Sequence, residues 1–188
     1  MNKRVGEAQS WQEQRLEKAI AAVAAWQACD ITYRPVSGGI SNANWRVEVA
    51  GAPNAYFVKI PGEGTERFID RNTAHEASLK AAQTGYGAPV FAWLPELGVE
   101  IFEFMEGWRA SSNQDFQQQA VRHRALHALK SFNDQARLKQ TKTVFDMLDE
   151  HREQVKGLNA CLSPDVSWLH LQVERARDAL PGWIMFPA

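Results

Sequence analysis

Two adjacent glycines, a lysine and a glutamate are the residues of this 188-residue chain whose types and order could do chemistry. Gly38 and Gly39 sit in the turn Ser37-Gly38-Gly39-Ile40-Ser41-Asn42, between two stretches that read as strands. Glycine lets a backbone turn sharply and approach a ligand closely. Amides exposed in such a turn can cradle phosphate oxygens, although a Gly-Gly turn is also an ordinary hairpin feature. Lys59 interrupts an otherwise apolar strand, where a lysine either extends its head to water or meets an anion. Glu76 follows 17 residues later in a predicted helix. From there a carboxylate could pair with Lys59 and hold its ammonium toward phosphates, although a lone helical glutamate is more often simply exposed.

The elements that must position these residues follow from periodicity. Ser10-Trp11-Gln12-Glu13 has the form of a capping box. Leu16, Ile20 and Val23 then recur at helical spacing, with Trp26 roughly continuing the stripe, which predicts a helix from about Ser10 to Ala28. Ile31 to Val36 reads as a strand. Ala43, Trp45, Val47 and Val49 alternate with Asn44, Arg46 and Glu48, the period of a half-buried strand. Gly51-Ala52-Pro53-Asn54 is a turn signal, and Tyr56 to Ile60 completes a hairpin. Glu66 to Thr84 reads as mostly helix, stopped by Gly85 at a C′ position. Val90 to Leu94 and Val99 to Phe104 read as two more strands. Beyond a linker-like stretch from Gly107 to Asn113, helices are expected around Phe116–Leu129, Val144–Val155 and Asp165–Leu180.

Composition narrows the classes. Lys+Arg is 21 and Asp+Glu is 22, a formal net charge of -1, so nothing electrostatic points to nucleic acid or an acidic membrane. No apolar run approaches the 18 or so residues of a bilayer span, and Met1 to Gln14 has no signal-peptide core. The two cysteines, Cys29 and Cys161, have no metal-ligand spacing, and cytoplasmic residence is the expectation. Among the histidines, His123 and His127 stand at i, i+4, but two ligands alone make a poor metal site. Seven tryptophans invite an aromatic-box reading for a quaternary ammonium, but core packing explains Trp26, Trp45 and Trp93 better.

Glycine turn between strands, strand lysine, helix glutamate, then two strands and a linker is the layout of a kinase-type nucleotide lobe. The motifs resemble those of the choline/ethanolamine kinase family, within the wider aminoglycoside phosphotransferase-like group. Ser37 to Asn42 with Asn44-Trp45-Arg46-Val47 resembles the family's "GG-(I/L)-(S/T)-N-x-N-(F/W)-x-V" opening. Phe57-Val58-Lys59-Ile60-Pro61-Gly62 resembles its lysine strand, and Ile69-Asp70-Arg71 with Glu76 its "IDR…E" helix. Phe102-Glu103-Phe104-Met105-Glu106-Gly107 resembles its hinge, and Leu126-His127 the close of the first helix after it.

The resemblance implies an α+β, protein-kinase-like fold. A five-stranded antiparallel N-lobe with an αC-type helix (31–106) would follow an N-terminal helix (1–30) and lead into the start of a helical C-lobe (107–188). It implies ATP as cofactor. Gly38, Gly39, Ser41 and Asn42 would lie over the phosphates, Lys59 would bind them in partnership with Glu76, and backbone groups of Glu103 and Met105 would hold adenine. Asp70 and Arg71 would brace the helix. The activity implied is phosphoryl transfer from ATP to a small-molecule hydroxyl, choline or ethanolamine first, an aminoglycoside or another small alcohol second. A nucleotide-binding pseudokinase or scaffold module is the reading from a different class. None of His75, His123, His127, His151 and His170 has an Asp two residues later, so the H-x-D-x-x-x-x-N loop that supplies the catalytic Asp is not found. Magnesium ligands are therefore expected outside these 188 residues. Trp183-Ile184-Met185-Phe186-Pro187 looks like the strand leading into that loop, so the chain reads as a fragment, inactive alone and prone to self-association through an unfinished apolar face.

Overall fold

The first helix starts where its capping box dictates. In a computed structural model of the chain, residues 2–39, 41–180 and 185–187 are described, the last three by backbone alone. The Ser10 hydroxyl accepts from the Glu13 N–H, the Glu13 carboxylate accepts from the Ser10 N–H in return, and α1 runs Trp11–Ala22. The helix ends earlier than its apolar stripe suggests, because Val23 turns extended. A separate 3₁₀ turn, Ala24–Trp26, then carries Trp26 against Tyr56 and Phe91 at centroid distances of 5.0 and 5.6 Å. Trp26 is thus core rather than part of an aromatic box.

Strands β1 (Lys3–Arg4), β2 (Ile31–Val36), β3 (Asn42–Val49), β4 (Tyr56–Pro61), β5 (Val90–Leu94) and β6 (Val99–Glu103) form one antiparallel sheet in the order β1-β2-β3-β4-β6-β5. The sheet has six strands where five were expected. The addition is the two-residue β1, too short for any alternation to betray it. Alternation sorts the rest into two faces. Tyr33, Trp45, Val47, Val58, Ile60, Val99 and Ile101 make one face and pack with Leu16, Ala19 and Ile20 of α1 into a single buried cluster. Arg46, Phe57, Lys59, Glu100 and Phe102 fall on the opposite face by the same alternation.

Helix α2 (Arg71–Gln83) begins five residues later than the sequence reading, after a 3₁₀ turn at Thr65–Arg67. Asp70 is its N-cap: Oδ1 accepts from the Thr73 N–H at 2.7 Å. Arg71 donates to the Thr65 hydroxyl, so the Asp-Arg pair ties the helix start to the preceding turn. Helix α3 (Gln119–Asn133) completes a first compact unit, Met1–Ala136. A second unit, Arg137–Ala188, holds α4 (Val144–Gly157), α5 (Val166–Ala179) and a small ladder of β7 (Thr141–Thr143) with β8 (Met185–Pro187). Of the expected lead-in strand, Met185–Pro187 is β8, while Trp183 and Ile184 lie outside the described residues. The fold is the α+β kinase-like arrangement that the motif order implies.

Candidate functional site

The glycine turn joins β2 to β3 and is fastened from both sides. Gly38 and Gly39 have φ of +107° and +94°, a region L side chains avoid. Asn44, third residue of β3, donates from Nδ2 to the Gly38 carbonyl at 2.7 Å and closes the turn. A Cβ on Gly39 would lie 2.8 Å from that same Nδ2. On the other side the Gly62 N–H donates to the Ser41 carbonyl at 2.9 Å, and a Cβ on Gly62 would come within 2.4 Å of that oxygen. The turn is thereby held against the end of β4, the strand that carries Lys59. Asn42 opens β3 opposite Pro61, and its Oδ1 is buried with no partner among the described residues. Ile40 lies outside the described residues.

A slot of about 270 Å³ opens beside this turn. Its walls include Val36, Phe57, Phe102, Phe104, Met105 and Trp108. Phe57 and Phe102 face each other across β4 and β6 with centroids 6.3 Å apart. Glu103 and Met105, both expected at the hinge, line the slot. The Glu103 N–H is already spent on the Pro89 carbonyl at 2.9 Å, and the Met105 carbonyl accepts from Trp108 at 3.3 Å. Neither of these bonds uses the Glu103 carbonyl or the Met105 N–H, an acceptor and a donor two residues apart.

The segment forming this edge is braced from β3. The Arg46 guanidinium lies 4.4 Å over the Phe104 ring and pairs with Glu106 at 2.6 Å and Glu48 at 2.9 Å. Burial pulls the Arg46 pKa down, and the hydrogen bonds it donates to the two glutamates outweigh it, leaving the pKa raised. At the slot's rim the Arg109 guanidinium grips Asp115 through two bonds of 2.6 and 2.8 Å. That grip holds the Asp115 carboxyl well below the usual carboxylate range.

Lys59 follows Phe57 by two residues, so it stands on the same face, roughly 7 Å further along the strand. The carboxylate at its Nζ is that of Glu100, 3.1 Å away, in the neighbouring strand directly opposite Lys59. Glu76, expected to meet Lys59 from the helix, forms an i, i+4 ion pair with Lys80 at 3.0 Å. The residue one step before it is the one that reaches the strand: His75 Nδ1 lies 3.1 Å from the other oxygen of Glu100. The His75 ring stacks on Trp93 at 4.8 Å and 12°. Sequence reasoning missed both Glu100 and His75. The available signal was a charge inside the apolar run Val99-Glu100-Ile101-Phe102, the mirror of Lys59 in its own strand.

Elsewhere the geometry is plain. His127 Nδ1 meets the Tyr86 hydroxyl at 2.9 Å. Among the described residues no group of three or more His, Cys, Asp or Glu is placed to hold a metal ion. No described helix is long and apolar enough to cross a membrane. In the second unit a larger apolar cleft of about 690 Å³, lined by Leu148, Val155, Leu162, Val166 and Leu171 among others, holds none of the expected residues.

The site thus combines an apolar slot lined by Glu103 and Met105, a lysine two residues along the strand from Phe57, and the glycine turn that follows Val36. No protein-family model and no curated protein matches the chain. Solved structures do. A choline/ethanolamine kinase family protein from Mesorhizobium loti superposes with a TM-score of 0.63 at 21% identity, over 88% of this chain and 54% of that one. LicA in complex with AMP gives 0.66 at 17% identity, over 92% and 59%. The choline kinase LicA from Streptococcus pneumoniae gives 0.61 at 16% identity, over 91% and 58%. The chain has the fold of choline/ethanolamine kinases. It spans little more than half the length of these structures, and at such identities the likeness speaks for the fold alone.

Proposed function

We propose that this chain is the nucleotide-binding part of a small-molecule kinase, one that transfers the γ-phosphoryl group of ATP to a hydroxyl of choline or ethanolamine. The observation that carries the reading is the spacing on one sheet face: an adenine-sized slot at Phe57 and Phe102, and a lysine ammonium one side-chain position further. Adenine lies in the slot against the two phenylalanines, its amino group to the Glu103 carbonyl and a ring nitrogen to the Met105 N–H. The phosphates then reach Lys59, under a turn in which Gly38, Gly39, Ser41 and Asn42 present backbone and side-chain donors. A similar fold crystallised with AMP supports a nucleotide as ligand. Magnesium, when bound with ATP, neutralises phosphate charge; the described residues offer it no ligand cluster of their own.

The choice of choline or ethanolamine rests on the turn and "IDR" motifs and on the names of the matching structures. The second reading, nucleotide binding without transfer, draws on one specific observation: no histidine in the sequence has an aspartate two positions on. On either reading the 188 residues bind ATP, and on either they do not by themselves phosphorylate choline. The test is calorimetric titration of the chain with ATP and with adenosine, repeated on Lys59→Met. Lys59-dependent binding of ATP, with adenosine indifferent to the substitution, supports the reading. ATP affinity equal in wild type and Lys59→Met overturns it.

A further inference from the structure

We propose that Glu100, held from behind by His75, is the residue that positions the Lys59 ammonium for a nucleotide phosphate. The inference rests on the nucleotide reading above and adds to it two positioning residues that the sequence did not single out.

Glu100 is 3% exposed, between Val99 at 1% and Ile101 at 0%. A carboxylate so buried is tolerated only when its charge is matched and both oxygens are bonded. Both are. Oε2 accepts from Lys59 Nζ and Oε1 from His75 Nδ1, each at 3.1 Å, and the partners come from two different elements. A carboxylate can only accept, so the His75 Nδ1 carries the proton in this bond. Stacking on Trp93 sets the plane of the imidazole.

The lysine side of the pair looks outward. The Lys59 side chain keeps 28% of its surface exposed against 4% for Glu100. An ammonium has three N–H donors, and Glu100 uses one, which leaves two for an anion. Lys59 and Glu100 are directly opposed in the β4–β6 ladder, so backbone register fixes their separation. In kinases that take this carboxylate from a helix, the position of the helix controls the pair. Here the sheet holds the carboxylate, and α2 contributes the His75 imidazole behind it.

A buried ion pair serving the fold alone would look the same at rest, so the test separates the two roles. Glu100→Asp keeps the charge but shortens the reach by one carbon, roughly 1.5 Å. It can then no longer serve both Lys59 and His75. The full 188-residue chain is titrated with ATP and, separately, with adenosine. The expected result is an ATP affinity about tenfold weaker, the scale of one charge-assisted hydrogen bond, with adenosine unchanged within twofold. On a Lys59→Met background Glu100→Asp changes neither ligand, since Glu100 acts through the lysine. His75→Phe keeps the stack on Trp93, loses the bond and weakens ATP selectively, and it carries the test should the aspartate variant not fold. ATP affinity within twofold of wild type in both variants, with binding still dependent on Lys59, overturns this proposal and leaves the nucleotide reading standing. Equal loss of ATP and adenosine marks Glu100 as structural and overturns it too. Insensitivity of ATP to Lys59→Met removes the reading and the inference together.

Discussion

The glycine turn lends itself to a substitution experiment whose size follows from its geometry. Alanine at Gly38 meets nothing within 4 Å and suffers only from its φ of +107°, a cost of about 1–2 kcal/mol. Alanine at Gly39 has a comparable φ cost and also drives its Cβ to 2.8 Å from Asn44 Nδ2. That atom must move, and the 2.7 Å bond it makes to the Gly38 carbonyl goes with it. An exposed bond of this kind contributes about 1 kcal/mol. Gly39→Ala should therefore destabilise the chain by about 2–3 kcal/mol, roughly 1 kcal/mol more than Gly38→Ala. Asn44→Ala alone should cost about 1 kcal/mol, and added to Gly39→Ala it should cost nothing further, because the same bond cannot be lost twice. The assay is urea denaturation followed by tryptophan fluorescence; Trp11, Trp26, Trp45, Trp93 and Trp108, five of the seven tryptophans, lie in the first unit. Additive losses for Asn44→Ala and Gly39→Ala, or equal losses for the two glycine variants, would refute the reasoning.

Three further outcomes are expected. Trp108→Ala strips a wall from the slot and should weaken adenosine and ATP by the same factor, unlike Lys59→Met; a selective loss of ATP in a paired titration would place Trp108 elsewhere in function. Lys3, then the backbone N–H groups of Gln9 and Ser10, pull the Glu13 carboxyl down from its ordinary 4.5 to about 2. A folded-state pKa below the unfolded one gives stability that is present above about 4.5 and lost as pH falls toward 2. Glu13→Gln should flatten acid unfolding in that window while its amide still serves the capping box, and an unchanged acid profile would remove Glu13 from the cause. Ile101→Ala, at a fully buried position beside Glu100, should cost about 2–5 kcal/mol in denaturant unfolding, and a loss below 1 kcal/mol would contradict the packing described.

What could be read from the sequence is what local pattern encodes. The capping box at Ser10–Glu13, the alternation through Trp45, Val47 and Val49, and the charge of Lys59 amid apolar neighbours each declare an element within a few residues. The order of these features led to the kinase-like arrangement. What local pattern does not encode is register. Glu100 meets Lys59 across 41 positions because β4 and β6 pair in one particular alignment, and no periodicity in either strand states it. Sequence favours Glu76 over His75 because a carboxylate is the obvious mate for a lysine. Rotation of α2 decides which of two adjacent residues faces the strand. Strand β1 is too short for any periodicity to declare it, and the apolar stripe overstates α1 because Trp26 continues it from a different turn.

The central claim is a nucleotide site on one face of this sheet. A crystal structure of the chain with a non-hydrolysable ATP analogue tests it most directly. The account predicts adenine in the slot against Phe57 and Phe102, bonded to the Glu103 carbonyl and the Met105 N–H, with the phosphates at Lys59 near Gly38 and Gly39. A nucleotide seated elsewhere, or one whose phosphates leave Lys59 in its pair with Glu100 and make no contact with it, would contradict the account.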